Sequence, residues 1–260
     1  MLRIASRHRA AHEVMPGTVT TARNDVRQYD ELDDEWWAPR GAFAMLHWIA
    51  AARAALIPPA PRPDAVLVDV ACGGGVMAPH ARARGYRHVG LDLSPTAVRV
   101  AAGQGVRSVR ADVRSLPLAD ACADVVVAGE VLEHVADLAG VVSEACRVLR
   151  PGGLLVIDTI ASTPWGRFSS ITVAEHLPAG PPKNLHDGSL FVDRDALRRL
   201  CAEHGVELEL RGLRPSALDY AAWLARRRDD VRMLPTRSTA GLFQARGVKA
   251  GPPPTRAGSP

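Results

Sequence analysis

A continuous apolar run, Ala65–Val70, leads through Ala71-Cys72 into three consecutive glycines, Gly73, Gly74 and Gly75, and then into a helical stretch that ends near Gly85. A strand with no polar alternation has to be covered on both faces, and a parallel sheet flanked by helices does this. The rhythm repeats. His88–Leu91, Val106–Val109, Asp124–Ala128 and Leu154–Thr159 are short β-rich runs separated by helix or turn material, with Ser94-Pro95 opening one helix and Asp137 capping another. The second of these helices is expected to stop at a Pro151-Gly152-Gly153 turn. Further strands are expected near Val206–Leu213 and Ala240–Ala245, with helices over Asp193–His204 and Ala217–Arg227. The expected architecture is α/β: a central, mostly parallel, seven-stranded sheet with helices on both faces.

Two helices are expected ahead of the first strand. Val26, Tyr29, Leu32, Trp36 and Trp37 recur at helical spacing until Pro39 and Gly41, and a second apolar period runs from Phe43 to Ile57 before Pro58, Pro59, Pro61 and Pro63. The expected organisation is a single domain over 23–248, with an N-terminal helical cap at 23–63. Residues 1–22 are expected to be a flexible N-terminus and 249–260, rich in Pro, Gly and Ala, a disordered tail. Residues 161–188 have prolines, glycines and no clean period, which is expected of a lid or insertion beside the strand ends.

Composition excludes several classes. A chain of 260 residues with 47% apolar content is not disordered as its main state. With 32 Lys+Arg against 28 Asp+Glu the net charge is +4, and the arginines are scattered, which argues against a nucleic-acid partner. Cys72, Cys122, Cys146 and Cys201 form no metal-binding spacing, so a reduced, cytoplasmic protein is expected. The richest candidate for a membrane span, Gly41–Ile57, is interrupted by His47 and Arg53. Arg3, Arg7 and Arg9, with no acid before Glu13, resemble a mitochondrial presequence in charge; a frayed, solvated end is the alternative.

The glycine turn lets a ligand approach the backbone closely, at a point where a helix begins and offers unpaired N–H groups. The spacing G-x-G-x-x-G fails at Ala78, and no G-x-x-x-x-G-K-[ST] is present, which argues against dinucleotides and nucleoside triphosphates. Acids close successive strands: Asp69, Asp92 and Asp112. An acid after the second strand is placed to accept from ribose hydroxyls, and one after the third to reach an adenine amino group. With Leu149-Arg150-Pro151-Gly152-Gly153, this ordered set resembles the class I S-adenosylmethionine-dependent methyltransferases, of Rossmann-like fold. The resemblance implies S-adenosyl-L-methionine as cofactor, with Asp69, Ala71, Cys72, Gly73, Gly75, Asp92, Leu93, Asp112, Val113 and Gly129 around it. Ala71 departs from the family's glycine, and its methyl group narrows the approach.

Two more stretches are specific. Trp36-Trp37-Ala38-Pro39-Arg40-Gly41-Ala42-Phe43-Ala44-Met45-Leu46-His47 and Glu130-Val131-Leu132-Glu133-His134-Val135, with the later His186-Asp187, resemble the ubiquinone-biosynthesis O-methyltransferases from about Tyr29 to Leu213. That resemblance implies a small aromatic or quinoid acceptor, methylated on a catechol- or quinol-like oxygen. It also places Arg53 against the cofactor carboxylate and connects E-x-x-E-H with a divalent cation. Methyl transfer is an in-line displacement that needs alignment and a phenolate. Glu130, Glu133 and His134, at i, i+3 and i+4, share one face if a helix follows the fourth strand directly, and are then expected to hold Mg2+ or another hard divalent cation that activates the oxygen. The alternative is a metal-free site in which His134 or His186 is the general base.

One tryptophan of Trp36-Trp37 is expected in the core and the other on the acceptor pocket, while His47 is expected to support structure. Trp165, Phe168, Ile171 and Val173 give the lid an apolar edge for peripheral membrane contact, against a purely soluble reading. Competing functions are C- or N-methylation of another small metabolite, and a non-catalytic cofactor-binding scaffold. Arginine over lysine and many alanines suit a high-GC bacterium, for which a secondary metabolite is a further acceptor class.

Overall fold

The computed structural model describes residues 23–25, 27–30 and 32–251; the expectations for 1–22, Val26 and 252–260 lie outside the described residues. In chain order the elements are α1 (Arg27–Asp30), α2 (Ala44–Ala54), β1 (Val66–Val70), α3 (Ala78–Ala83), β2 (Arg87–Asp92), α4 (Pro95–Gly103), β3 (Arg107–Arg110) and β4 (Ala123–Gly129). There follow α5 (Leu138–Val148), β5 (Leu149–Ile160), α6 (Pro164–Arg167), α7 (Arg194–Glu203), β6 (Glu209–Pro215), α8 (Ala217–Leu224), β7 (Met233–Thr236) and β8 (Leu242–Val248).

The strand order is β3-β2-β1-β4-β5-β8-β6-β7. β1 lies between β2 and β4, and β3 and β5 extend the parallel region outward. β8 pairs antiparallel with both β5 and β6, and β7 antiparallel with β6. Successive residues of the central strands enter opposite halves of the core, as period-2 alternation requires. Val68, Val126 and Leu155 pack under α5 and α7 with Leu197 and Cys201, while Leu67, Val125 and Val156 pack with Trp36, Phe43 and Met77 on the other face.

The sheet has eight strands where seven are expected. β7 carries Pro235, paired opposite Leu213, and proline in a run reads as a break unless the strand is an edge, which β7 is. β5 also differs: it starts at Leu149 directly after α5, and Pro151-Gly152-Gly153 is a bulge inside it, with the register to β4 shifting between Ala123 and Val125. The helix expected around Trp36-Trp37 is only the one-turn α1 and a 3-10 turn at Asp33–Glu35. So short a helix has little intrinsic stability, and its tryptophans are held by tertiary packing instead. Lys249, at the start of the expected tail, is held in the fold: its Nζ donates to the carbonyls of Cys146 and Leu149, at 2.7 and 3.0 Å.

Beyond β5, Thr163 caps α6 by accepting from the Gly166 N–H at 2.9 Å. A π-helical turn over Phe168–Val173 and a 3-10 turn over Ala174–His176 follow. Among the described residues no helix is long and apolar enough to cross a membrane.

Candidate active site

The carboxyl ends of β1, β2 and β4, the N-terminal cap and residues 165–186 enclose a cavity of about 1070 Å³. Its floor is the turn after β1, where Ala71 (φ 57°), Gly73 (φ 50°) and Gly75 (φ 80°) are all left-handed. The ring of Trp36 lies on this turn: a Cβ on Gly73 or Gly74 would come within 2.5 Å of it. Trp37 Nε1 donates to the Gly74 carbonyl at 2.9 Å, and Trp36 stacks on Phe43 with centroids 4.1 Å apart. His47 Nε2 donates to the Trp36 carbonyl at 2.8 Å. Both tryptophans therefore clamp the glycine turn, and Trp36 also lines the cavity.

Asp92 ties the turn to the next helix, its carboxylate accepting from Gly73 N and Ser94 N, both at 2.9 Å. Burial, the largest cause, raises its pKa. Asp69 is buried and accepts from His88 Nε2 at 3.1 Å. Asp112 lies at the solvent side, where Arg114 binds it at 2.6 Å and holds its pKa down at about 2. Leu93, Val113 and Cys72 line the cavity between these acids. Burial pushes the Cys72 thiol pKa up and disfavours its thiolate.

Arg53 is buried at the end of β4, close over Gly129, a position where a side chain would collide with the guanidinium. The guanidinium lines the cavity and holds a protein carboxylate: Nε and Nη2 bind Asp158 at 2.5 and 2.7 Å.

The E-x-x-E-H segment is not a helix. Glu130 is left-handed (φ 52°) and only Leu132–His134 form a 3-10 turn, so the expected common face of Glu130, Glu133 and His134 does not form. Instead, ligand atoms of Glu133, His134 and His186 lie within 4.8 Å of one another. His186 takes the place expected for Glu130, because residues 177–188 fold back over this turn and its ring stacks on that of His134, centroids 5.4 Å apart and 21° from parallel.

Burial shifts Glu130, Glu133 and His134 toward neutrality. Glu133 Oε2 accepts from Thr159 Oγ1 at 2.6 Å while Oε1 has no hydrogen-bond partner among the described residues, and burial pushes its pKa up to about 7. Burial and the nearby Glu133 raise Glu130 well above the usual range. Burial, then His186, lowers His134 to about 3. On its far side, His186 Nδ1 lies 3.4 Å from Glu175 Oε1, and its backbone N–H donates to the same oxygen at 3.2 Å. Sequence reasoning missed Asp158, Thr159, Glu175 and Asn24, which is joined to His134. Local pattern marks none of the four.

Residues 68–157 match the methyltransferase domain family. The chain is 35% identical over 201 residues to ubiquinone biosynthesis O-methyltransferase of Methylobacterium sp., spanning 70% of this chain and 81% of the relative. The chain belongs to the ubiquinone biosynthesis O-methyltransferase family. A second relative of that description, from Leptothrix cholodnii, is 30% identical over 213 residues, 77% of this chain and 90% of its own. The fold is also that of a SAM-dependent methyltransferase of Thermotoga maritima, with a TM-score of 0.59, 19% identity, and coverage of 86% of this chain and 96% of that one.

As an S-adenosylmethionine-dependent methyltransferase of this family, the protein has its cofactor motifs on one wall of the cavity and the histidine cluster on another. Residues 165–186 form a further wall, with Ser170, Val173, Leu185 and His186 among its lining, and Leu213, Met233 and Leu242 line the cavity from β6, β7 and β8. Trp165 and Phe168 are 58% and 50% exposed at its outer edge.

Proposed function

We propose that this methyltransferase moves the sulfonium methyl of S-adenosylmethionine to a phenolic oxygen of a catechol- or quinol-like ring, a reading supported by the O-methyl transfer in the names of its ubiquinone biosynthesis relatives. The observation that carries this reading is His186 in the cavity wall with one carboxylate, Glu175, against Nδ1 and a second, Glu133, behind the cluster. The Glu175 carboxylate stabilises the imidazolium that forms when His186 takes the phenol proton. His134 is a poorer base, since burial keeps it neutral to about pH 3. The phenolate oxygen then attacks the methyl carbon in line. The new O–C bond forms as the C–S bond breaks, and S-adenosylhomocysteine leaves.

The cofactor is held by the turn at Gly73 and Gly75 and by Ala71, Cys72, Leu93, Val113 and Gly129 around it. Asp92 accepts from the ribose, Asp112 reads the adenine edge, and Asp69 supports the turn. Residues 161–188 act as the lid. Its exposed Trp165 and Phe168 give a peripheral membrane contact suited to an acceptor with an apolar tail. The four free cysteines suit a cytoplasmic enzyme.

A divalent ion is the second reading, favoured by the closeness of Glu133, His134 and His186. Two imidazoles and one carboxylate suit an imidazole-binding transition ion better than Mg2+. Glu130 is outside that set. When bound, such an ion would lower the pKa of the acceptor hydroxyl.

The test is a methyl-donor assay against catechols, hydroquinones, lone phenols and amines, with and without chelator. Turnover of catechols in excess chelator, lost in His186→Ala, is expected; chelator-sensitive turnover selects the ion. Methylation of amines alone, or of nothing, would overturn the O-methyl reading.

A further inference from the structure

A second, smaller pocket of about 230 Å³ opens at the amino-terminal ends of β2 and β3, the opposite end of the strands from the cavity. Arg82, Arg87 and Arg107 line it, and no described carboxylate does. Among the described residues Arg87 has an acidic neighbour, the exposed Asp64 at 3.6 Å, while Arg107 has none. Arg82 Nη2 donates to the carbonyl of Gln104 at 2.8 Å, which ties this guanidinium to another residue of the pocket lining. Three guanidinium groups gathered at one small concavity repel one another, and an oxyanion is the ligand that their forks fit.

A buried group in the same pocket narrows the choice of oxyanion. His88 lines it with a side chain only 5% exposed. Asp69 accepts from Nε2 at 3.1 Å, and a carboxylate only accepts, so Nε2 carries a proton. Nδ1 is buried and has no hydrogen-bond partner among the described residues. In the neutral ring that nitrogen is an acceptor, and a buried acceptor is costly to leave unpaired. A ligand that completes the pocket therefore brings a donor as well as negative charge. Hydrogen phosphate brings both, its P–OH donating to Nδ1 while the other oxygens accept from the arginines. Sulfate carries no hydrogen at neutral pH and can do only the second.

We propose that this pocket is a phosphate-binding site, in which Arg82, Arg87 and Arg107 hold the anion and His88 Nδ1 accepts from its P–OH group. The ligand class is a phosphate that keeps a hydroxyl, either the free ion or the singly protonated phosphate of a monoester. None of these four residues lines the large cavity, so the site is independent of which acceptor is methylated.

The experiment is calorimetric titration of the full chain at neutral pH and constant ionic strength with inorganic phosphate, sulfate and methyl phosphate. Expected for wild type is saturable binding of one phosphate per chain, with sulfate weaker by about tenfold or more. Arg82 and Arg107 are exposed, and Arg82→Ala and Arg107→Ala should each fold and weaken phosphate binding by about tenfold. His88→Ala should remove the difference between phosphate and sulfate. Methyl phosphate separates the two sources: affinity equal to that of phosphate assigns a monoester, weaker affinity the free ion, and either supports the site. Absence of saturable phosphate binding to wild type would overturn the proposal, as would sulfate binding equal to phosphate, or phosphate affinity unmoved in both arginine variants. The first two results need no variant, so the test stands even if His88→Ala does not fold.

Discussion

Arg53 and Asp158, 105 residues apart in the chain, form a buried bidentate ion pair at the edge of the cavity, with N–O distances of 2.5 and 2.7 Å. Such a pair owes its stability to both partners being present, because either charge alone is stranded away from water. Asp158→Ala is expected to lower the unfolding free energy by about 3–5 kcal/mol, and Arg53→Met with Asp158→Leu to recover most of that loss. Urea denaturation of the three variants checks it. Equal destabilisation by the single and double variants would contradict the pairing. Binding of S-adenosylhomocysteine by the double variant then reads whether Arg53 also serves the cofactor.

Ala71 occupies a left-handed conformation (φ 57°) that costs a residue with a Cβ about 1–2 kcal/mol. Ala71→Gly removes that strain and widens the approach to the turn, against some loss of backbone order in the unfolded chain. A net gain of about 1 kcal/mol is expected, together with cofactor-product affinity at least equal to wild type. Thermal melting and calorimetry measure the two effects. A lower melting temperature would show that the methyl contributes packing that outweighs the strain.

Burial gives Glu133 and His134 opposite pH signatures. Glu133 rises from 4.5 to about 7, so its contribution to stability is complete below pH 4.5 and is lost as pH rises through about 7. His134 falls from 6.5 to about 3, so its contribution is complete above pH 6.5 and is lost as pH falls toward about 3. Glu130, raised by burial and by Glu133, has the sign of Glu133. Glu133→Gln should therefore gain on wild type as pH rises from 4.5 to 7, by at most about 1.4 kcal/mol per pH unit, and the gain should level off above. Unfolding free energies across that range check the slope. A constant difference would mean that Glu133 is ionised throughout.

The parallel half of the sheet was legible because its central strands, β1, β4 and β5, carry long apolar runs closed by a turn or an acid. The cavity-lining acids Asp69, Asp92 and Asp112 were legible for the same reason: strand ends are marked in the chain. The cluster around His134 was not. Asn24 lies 110 residues from His134, and a pairing at that distance leaves no period or spacing to read. Glu130 misled because E-x-x-E-H looks helical, whereas a left-handed residue at 130 breaks the face before it starts. β7 stayed hidden behind Pro235, a residue that marks a break unless the edge position of the strand is known.

The contact between Trp36 and the glycines at 73 and 74 changes what a glycine-rich turn records. Substituting either glycine would drive a methyl group into an indole ring before any ligand arrived, so the tryptophan alone is enough to keep both positions bare. A descendant of this chain that had abandoned methyl transfer would go on carrying Gly73 and Gly74 for as long as it kept Trp36. In such lineages the pair is inherited scaffolding, and the acids at the strand ends, which no tryptophan requires, are the better witness to living chemistry.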